Sequence, residues 1–351
     1  MFAWPPGFRG HIRITSLIAL GFAALALSGR DDAGSPAGLE RTSAAGAIAQ
    51  IAPAATPDDT QLLSEVVVQA AAPRYVLPTR RDRIGRIWAP VYINGQGPFR
   101  LVLDTGANHS GITAAVAQSL GMPLDLSRQI MLRGVTGSAA VPTVHAETFV
   151  AGDLRESDQR LPIIIDALGG ADGVLGTDGM QNRRIYIDFH HDYIDIARSS
   201  NERAPPGFRV IPFETLRGNL LVVPAMVGSV RTKAIIDTGG QVTIANEALR
   251  QALAQRITDA HKATIEGVTA DVQLADTMRT PPLQLLGTDR PGSSIEFRYR
   301  DVSYGDMHIF EHWRLTDEPA MLVGMDALGL LDVLIIDYRR HELQLEVHSD
   351  N

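Results

Sequence analysis

The 351-residue chain predicts a mainly β protein built from two homologous lobes related by a pseudo-two-fold axis. Three observations carry that expectation. A motif with its surroundings occurs twice at matched spacing; each copy closes on a pair of period-two strands; and helical patterning is confined to one short stretch per copy. The length suits two modest lobes with irregular ends better than one small core.

Taken from the N-terminus, Arg9, His11 and Arg13 precede the apolar run "ITSLIALGFAALALSG" (14–29), which ends on small residues suited to cleavage after Ala26 or Ser28. Residues 1–29 read as a signal peptide, since the run falls short of the ~20 residues that span a bilayer. The protein is expected to be exported, periplasmic or secreted, with no stable membrane span after processing; the alternative is anchoring by an uncleaved N-terminal segment. "LSG" (27–29) resembles the start of a lipoprotein signal, but Arg30 stands where a lipid-bearing cysteine is needed. Residues 30–74, rich in Ala, Pro, Ser and Thr, read as a flexible linker or propeptide, in which "QLLSEVVVQAAA" (61–72) forms a short helix or strand.

The repeat begins past residue 85. "LVLDTGANHSGIT" (101–113) and "AIIDTGGQVTIAN" (234–246) share an apolar triplet, Asp-Thr-Gly, and polar residues running to an isoleucine. Gly134 of a Gly-Val-Thr follows Asp104 by 30 residues, and Gly267 of a second Gly-Val-Thr follows Asp237 by the same 30. An apolar pair closed by Gly comes next, in "VLGTDGM" (174–180) and "LVGMDALG" (322–329), the second copy carrying about 15 more residues before it. Each copy ends in alternating strands around a polar turn, "IYIDFHHDYIDI" (185–196) and "LIIDYRRHELQL" (334–345). The lobes are therefore bounded at about 85–200 and 207–348.

Within each lobe strands dominate. "APVYING" and "FRLVLDTG" flank a Gly-Pro turn, and "AVPTVHAETFVAG" reads as a hairpin arm with its continuation. Short helices follow each Asp-Thr-Gly at "TAAVAQSLG" (113–121) and "NEALRQALAQR" (246–256), with Asn246 as N-cap of the second.

Two Asp-Thr-Gly loops meeting across a pseudo-two-fold axis bring Asp104 and Asp237 over one water. Like charges about 3 Å apart do not both ionise, so the pair holds one shared proton; the aspartic-protease dyad of pepsin is the type example of this arrangement. The ionised carboxylate takes a proton from the attacking water while its partner supports the oxyanion. Gly106 and Gly239 permit tight turns that aim backbone N–H groups at the carboxylates, and Thr105 and Thr238 are positioned to hydrogen-bond across the axis. No metal or cofactor is needed.

These motifs, "LVLDTGANHSGI" with "GVLGTDGM" and "AIIDTGGQVTI" with "MLVGMDALG", resemble the retropepsin-like aspartic protease family, here as two such domains fused in one chain. The resemblance covers roughly 260 residues and implies closed or half-open β-barrel lobes in which the apolar-apolar-Gly segment packs under the Asp loop. It further implies that "RGVTGSAAVP" (133–142), with Gly134, Val135, Thr136 and Gly137, is a flap over bound peptide. Its counterpart "EGVTADVQLA" (266–275) carries Gly267, Val268 and Thr269 but has Ala270 where the first has Gly137. Family members place an acidic residue soon after the motif for substrate backbone, whereas Asn108 and Gln241 stand here. The implied activity is that of an aspartic endopeptidase acting on polypeptides as a monomer; the alternative is an exported peptide-binding module of the same fold without turnover.

Other signals carry less. The net charge of −8 opposes nucleic-acid binding, and the lack of cysteine excludes thiol nucleophiles, disulfides and Cys-rich metal sites. "HIFEHW" sets His308 and His312 at zinc-ligand spacing, but no general base accompanies them and the stretch falls in the second copy's excess, so it reads as a surface loop or strand. His190 and His191 of "FHHD" read as solvated turn residues, and the glycine-rich "GGADGVLG" lacks the Lys-Ser/Thr of a phosphate loop.

Overall fold

A computed structural model describes residues 65–67, 86–165, 169–217, 220–254, 257–267, 269, 271–288, 293–298 and 301–347. The signal segment, the spacer apart from 65–67, and Val268 and Ala270 of the second flap lie outside the described residues.

The first half runs through β1 (Glu65–Val67), β2 (Trp88–Ile93), β3 (Gln96–Leu103), β4 (Gly111–Thr113), helix α1 (Ala114–Ser119), β5 (Asp125–Arg133), β6 (Ser138–Ala151), β7 (Leu154–Ile164), β8 (Gly173–Leu175), β9 (Arg183–Asp188) and β10 (Tyr193–Arg198). The second comprises β11 (Arg209–Pro212), β12 (Glu214–Leu216), β13 (Leu220–Val227), β14 (Val230–Ile236), β15 (Ile244–Ala245), α2 (Glu247–Leu253), β16 (Thr258–Glu266), β17 (Val272–Arg279), β18 (Leu283–Leu285), β19 (Ile295–Phe297), β20 (Asp301–Tyr304), α3 (His308–Trp313), β21 (Ala320–Val323), α4 (Met325–Leu328), β22 (Val333–Asp337) and β23 (Glu342–Glu346). The protein is mainly β, with each Asp-Thr-Gly directly after a long strand, β3 or β14.

In the first lobe the strands run in the order β6-β2-β3-β8-β4-β7, and β6 also pairs with β7, so the sheet closes on itself as a six-stranded barrel. Closure removes the unpaired edges that an open sheet would expose. Leu101, Leu103, Ile112, Phe149 and Leu175 fill it. The second lobe repeats the order β13-β14-β21-β15-β20-β17, but the strand matching β6 is split into β17 and β18. Pro281 and Pro282 lie in the gap, where a missing N–H cannot serve a ladder.

The closing hairpins of the two copies do not remain separate. Strands β10, β9, β22, β23 and β11 form one antiparallel sheet, with Ile187 opposite Leu334 and Ile185 opposite Ile336 at the seam between lobes. Alternation puts Ile185, Ile187, Leu334, Ile336, Leu343 and Leu345 into the core. This shared sheet ties the lobes together.

Three details differ from the expectations. The first hairpin turns at Asn94-Gly95, both with positive φ as a two-residue primed turn requires, while Gly97-Pro98 lies inside β3. The stretch "HIFEHW" is the helix α3 and not a loop or strand, because Ile309, Phe310 and Trp313 share one buried face at helical spacing. Finally, α2 ends at Leu253 rather than continuing to 256; Asn246 caps it by accepting from the Leu249 N–H, and Thr113 caps α1 likewise through Val116.

Candidate active site

Both Asp-Thr-Gly loops are buried where the lobes meet. Asp104, Thr105 and Thr238 have no exposed surface and Asp237 almost none. The threonines form a reciprocal cross: the Thr105 N–H donates to Thr238 Oγ1 and the Thr238 N–H to Thr105 Oγ1, both at 3.1 Å. Each hydroxyl then donates onward to the other lobe's strand, Thr105 to Ile236 O at 2.6 Å and Thr238 to Leu103 O at 2.8 Å. Four buried hydrogen bonds across one axis leave the loops little freedom to separate, each typically contributing about 1 kcal/mol net and costing more if one partner is lost.

This cross brings the carboxyls together. Asp104 Oδ1 accepts from the Gly106 N–H at 2.8 Å, and Asp237 Oδ1 accepts from the Gly239 and Gly240 N–H groups at 3.0 and 2.9 Å. The two carboxyls are thereby buried side by side at the junction of the loops. Burial pushes Asp237 up to about 6, against the opposing pull of the Gly240 and Gly239 amides and of Asp104. A Cβ on Gly239 would stand 2.2 Å from Asp104 Cγ, and one on Gly240 would stand 2.5 Å from Asp237 Oδ2. Glycine at 239 is thus demanded by the carboxylate of the opposite lobe.

The apolar-apolar-Gly segments hold these loops from beneath. Leu175 O accepts from the Asp104 N–H and Val323 O from the Asp237 N–H, both at 3.0 Å. A Cβ on Gly176 would lie 2.4 Å from His109 C, and one on Gly324 would lie 2.7 Å from Val242 C. His109 and Val242 each follow their aspartate by five residues, so the same backbone crossing explains both glycines.

Sequence reasoning missed a second pair of aspartates. The Ser110 N–H and hydroxyl donate to Asp178 Oδ1 at 3.1 and 2.9 Å, while Thr243 donates its N–H to Asp326 Oδ2 at 3.0 Å and its hydroxyl to Oδ1 at 2.7 Å. The Gly176 and Gly324 N–H groups donate back to those hydroxyls. Burial raises both Asp178 and Asp326, opposed for Asp178 chiefly by His109 and for Asp326 by the Thr243 bonds. The signal was present, since Ser110 and Thr243 each stand six residues after their aspartate and each partner follows its Gly by two. Arg86, also missed, has its guanidinium pushed below the usual arginine range by burial, with the charges of Asp104 and Asp237 opposing that loss. Nothing in the repeat reports it.

The remaining predicted residues divide. Gln241 is buried beside the second loop and Asn108 half-buried beside the first. Residues 134–137 form a tight turn, the Gly134 N–H donating to Gly137 O at 2.8 Å, and the second hairpin turns more widely, from the Gly267 N–H to Asp271 O at 3.2 Å. Thr136 and Asp271 join the two tips, the Thr136 hydroxyl donating to Asp271 O at 2.8 Å. His191 pairs with Asp188 in an exposed turn. Among the described residues no group of three His, Asp or Glu side chains could hold a metal, and no helix is long and apolar enough to cross a membrane.

The two Asp-Thr-Gly loops are thus buried together where the lobes meet. Residues 89–178, within the first lobe, match the aspartyl protease family model. Similar solved structures include basic 7S globulin from soybean, at 11% identity and TM-score 0.41 over 76% of this chain and 93% of that one. Conglutin gamma, a basic 7S globulin from lupine seeds, is similar at 10% identity and TM-score 0.43 over 75% and 91%. No curated protein matches the chain.

Proposed function

We propose that the protein is an aspartic endopeptidase in which Asp104 and Asp237 share one proton and activate one water. The observation that carries this reading is the reciprocal threonine cross that buries two carboxyls together, each held by backbone N–H groups of its own loop. The ionised carboxylate accepts a proton from water as the oxygen attacks the peptide carbonyl, and the protonated one donates to the developing oxyanion. Protonation of the amine nitrogen and collapse of the tetrahedral species then break the C–N bond and restore the dyad. The proton assignment belongs to the pair, not to one residue.

Thr105 and Thr238 hold the geometry, and the flap of residues 133–142 excludes water from the reacting centre. Both dyad halves come from one chain, which supports activity as a monomer on polypeptide substrates. The basic and apolar N-terminal pattern supports action after export. The test is cleavage of an unstructured protein by residues 75–351 across pH 3 to 8. A parent that cleaves and Asp104→Asn and Asp237→Asn variants that do not are expected. Peptide binding without turnover, unchanged by either substitution, would sink the protease reading and leave a binding module.

A further inference from the structure

The second copy's excess residues include α3, and α3 touches the first lobe's flap. Val135, at the flap tip, is 2% exposed and joins the buried cluster of Met307, Ile309, Phe310 and Trp313. The Ile309 N–H donates to Val135 O at 3.4 Å, and the Ser138 hydroxyl and His308 Nε2 are hydrogen-bonded at 2.6 Å. On the other side, Thr136 donates to Asp271 O, and Gly137 leaves the space that the Asp271 carboxylate occupies. An apolar residue at the apex of a solvent-facing hairpin would ordinarily cost burial energy; here it is seated in the opposite lobe's core.

We propose that α3 is a latch that holds the first lobe's flap shut through Val135 and His308, so that peptide admission requires Val135 to leave its seat in the second lobe. This rests on the cleft between the lobes being the peptide site. Releasing the latch exposes one valine side chain and breaks the bonds that Val135, Thr136 and Ser138 make to Ile309, Asp271 and His308, while the first lobe's barrel stays closed. The flap tip thus opens as a local unit on an intact scaffold.

The chain has no cysteine, which makes a direct test clean. A Cβ on Gly267 would lie 3.5 Å from Thr136 Cβ, within the separation a disulfide needs. Oxidised Thr136→Cys/Gly267→Cys protein is expected to admit a fluorescent peptide library at least about tenfold more slowly than the same protein after reduction. Association is read in an Asp104→Asn background, so it does not depend on turnover. His308→Ala and Val135→Ser, with folding checked by circular dichroism, are expected to speed association and amide exchange at 134–137 several-fold. Equal association in the oxidised and reduced forms, failure of the cysteine pair to oxidise, or unchanged exchange in both single variants would overturn the latch. Loss of cleavage in the parent with latch-dependent peptide association would overturn only the catalytic reading.

Discussion

The two lobes repeat the same supporting pattern beneath the aspartates and diverge above them. Below the paired aspartates, each loop donates its Asp N–H to the apolar segment, each apolar segment ends on a glycine crossed by the same backbone, and each hydroxyl six residues on binds a second aspartate. Above it, the first lobe has one continuous strand β6 and a tight four-residue flap tip. The second has a Pro-interrupted strand, a wider tip and the added helix α3. The difference teaches where symmetry is needed. A shared proton requires two loops in one geometry, whereas a lid needs only one moving hairpin and a seat for it.

The sharpest way to break this comparison is to disable one lobe's carboxyl. Asp104→Asn and Asp237→Asn are each expected to lower kcat/KM by at least about 10³-fold, since neither half of a shared-proton pair works alone. A variant that kept parental cleavage would show that the lobes do not form one site.

Gly239→Ala comes next. Its Cβ would drive into Asp104 Cγ, so a loss of about 10²-fold in kcat/KM is expected with the fold retained by circular dichroism. Parental activity would mean that Asp104 leaves room for a side chain at position 239.

Asp178→Ala and Asp326→Ala sharpen the comparison below the dyad. Each leaves a buried hydroxyl and N–H without an acceptor, and each is expected to cost about 2 kcal/mol in urea unfolding. Near-equal losses would match the repeated pattern; a large cost in one lobe alone would contradict it.

The smallest effect concerns Arg86, which only the first lobe supplies. Asp237 holds its proton up to about 6 because burial penalises the charge, so activity is expected to fall as pH rises through about 6 and the dyad loses that proton. The Arg86 charge pulls in the other direction, favouring ionisation. Arg86→Met should therefore move the alkaline limb of kcat/KM to higher pH by less than about one unit. A limb that stayed in place or moved down would separate Arg86 from the dyad.

Much of the dyad was legible before any coordinates, because a repeat displays pairing without geometry: Asp104 with Asp237, Thr105 with Thr238, Gly106 with Gly239. Gly176 and Gly324 were visible as landmarks, but their reason, a backbone crossing that leaves no room for a Cβ, was not. Asp178 and Asp326 lay unread inside quoted motifs because an aspartate near a turn is ordinary until its acceptor role is seen. Arg86 had no second copy to draw attention to it. The α3 helix was obscured because its place in the second copy's excess read as a surface loop or strand, and the apolar face at 309, 310 and 313 went unused.

By itself the sequence determined the mainly β class and the twice-occurring Asp-Thr-Gly motif with its matched spacing, because these depend on local periodicity and on spacing along the chain. Only tertiary structure decided that the closing hairpins merge into one sheet, that each threonine bonds the other lobe's strand, and that the first flap rests on the second lobe's helix. These contacts join residues more than 130 positions apart, and no local pattern encodes which distant surface will exclude water with them.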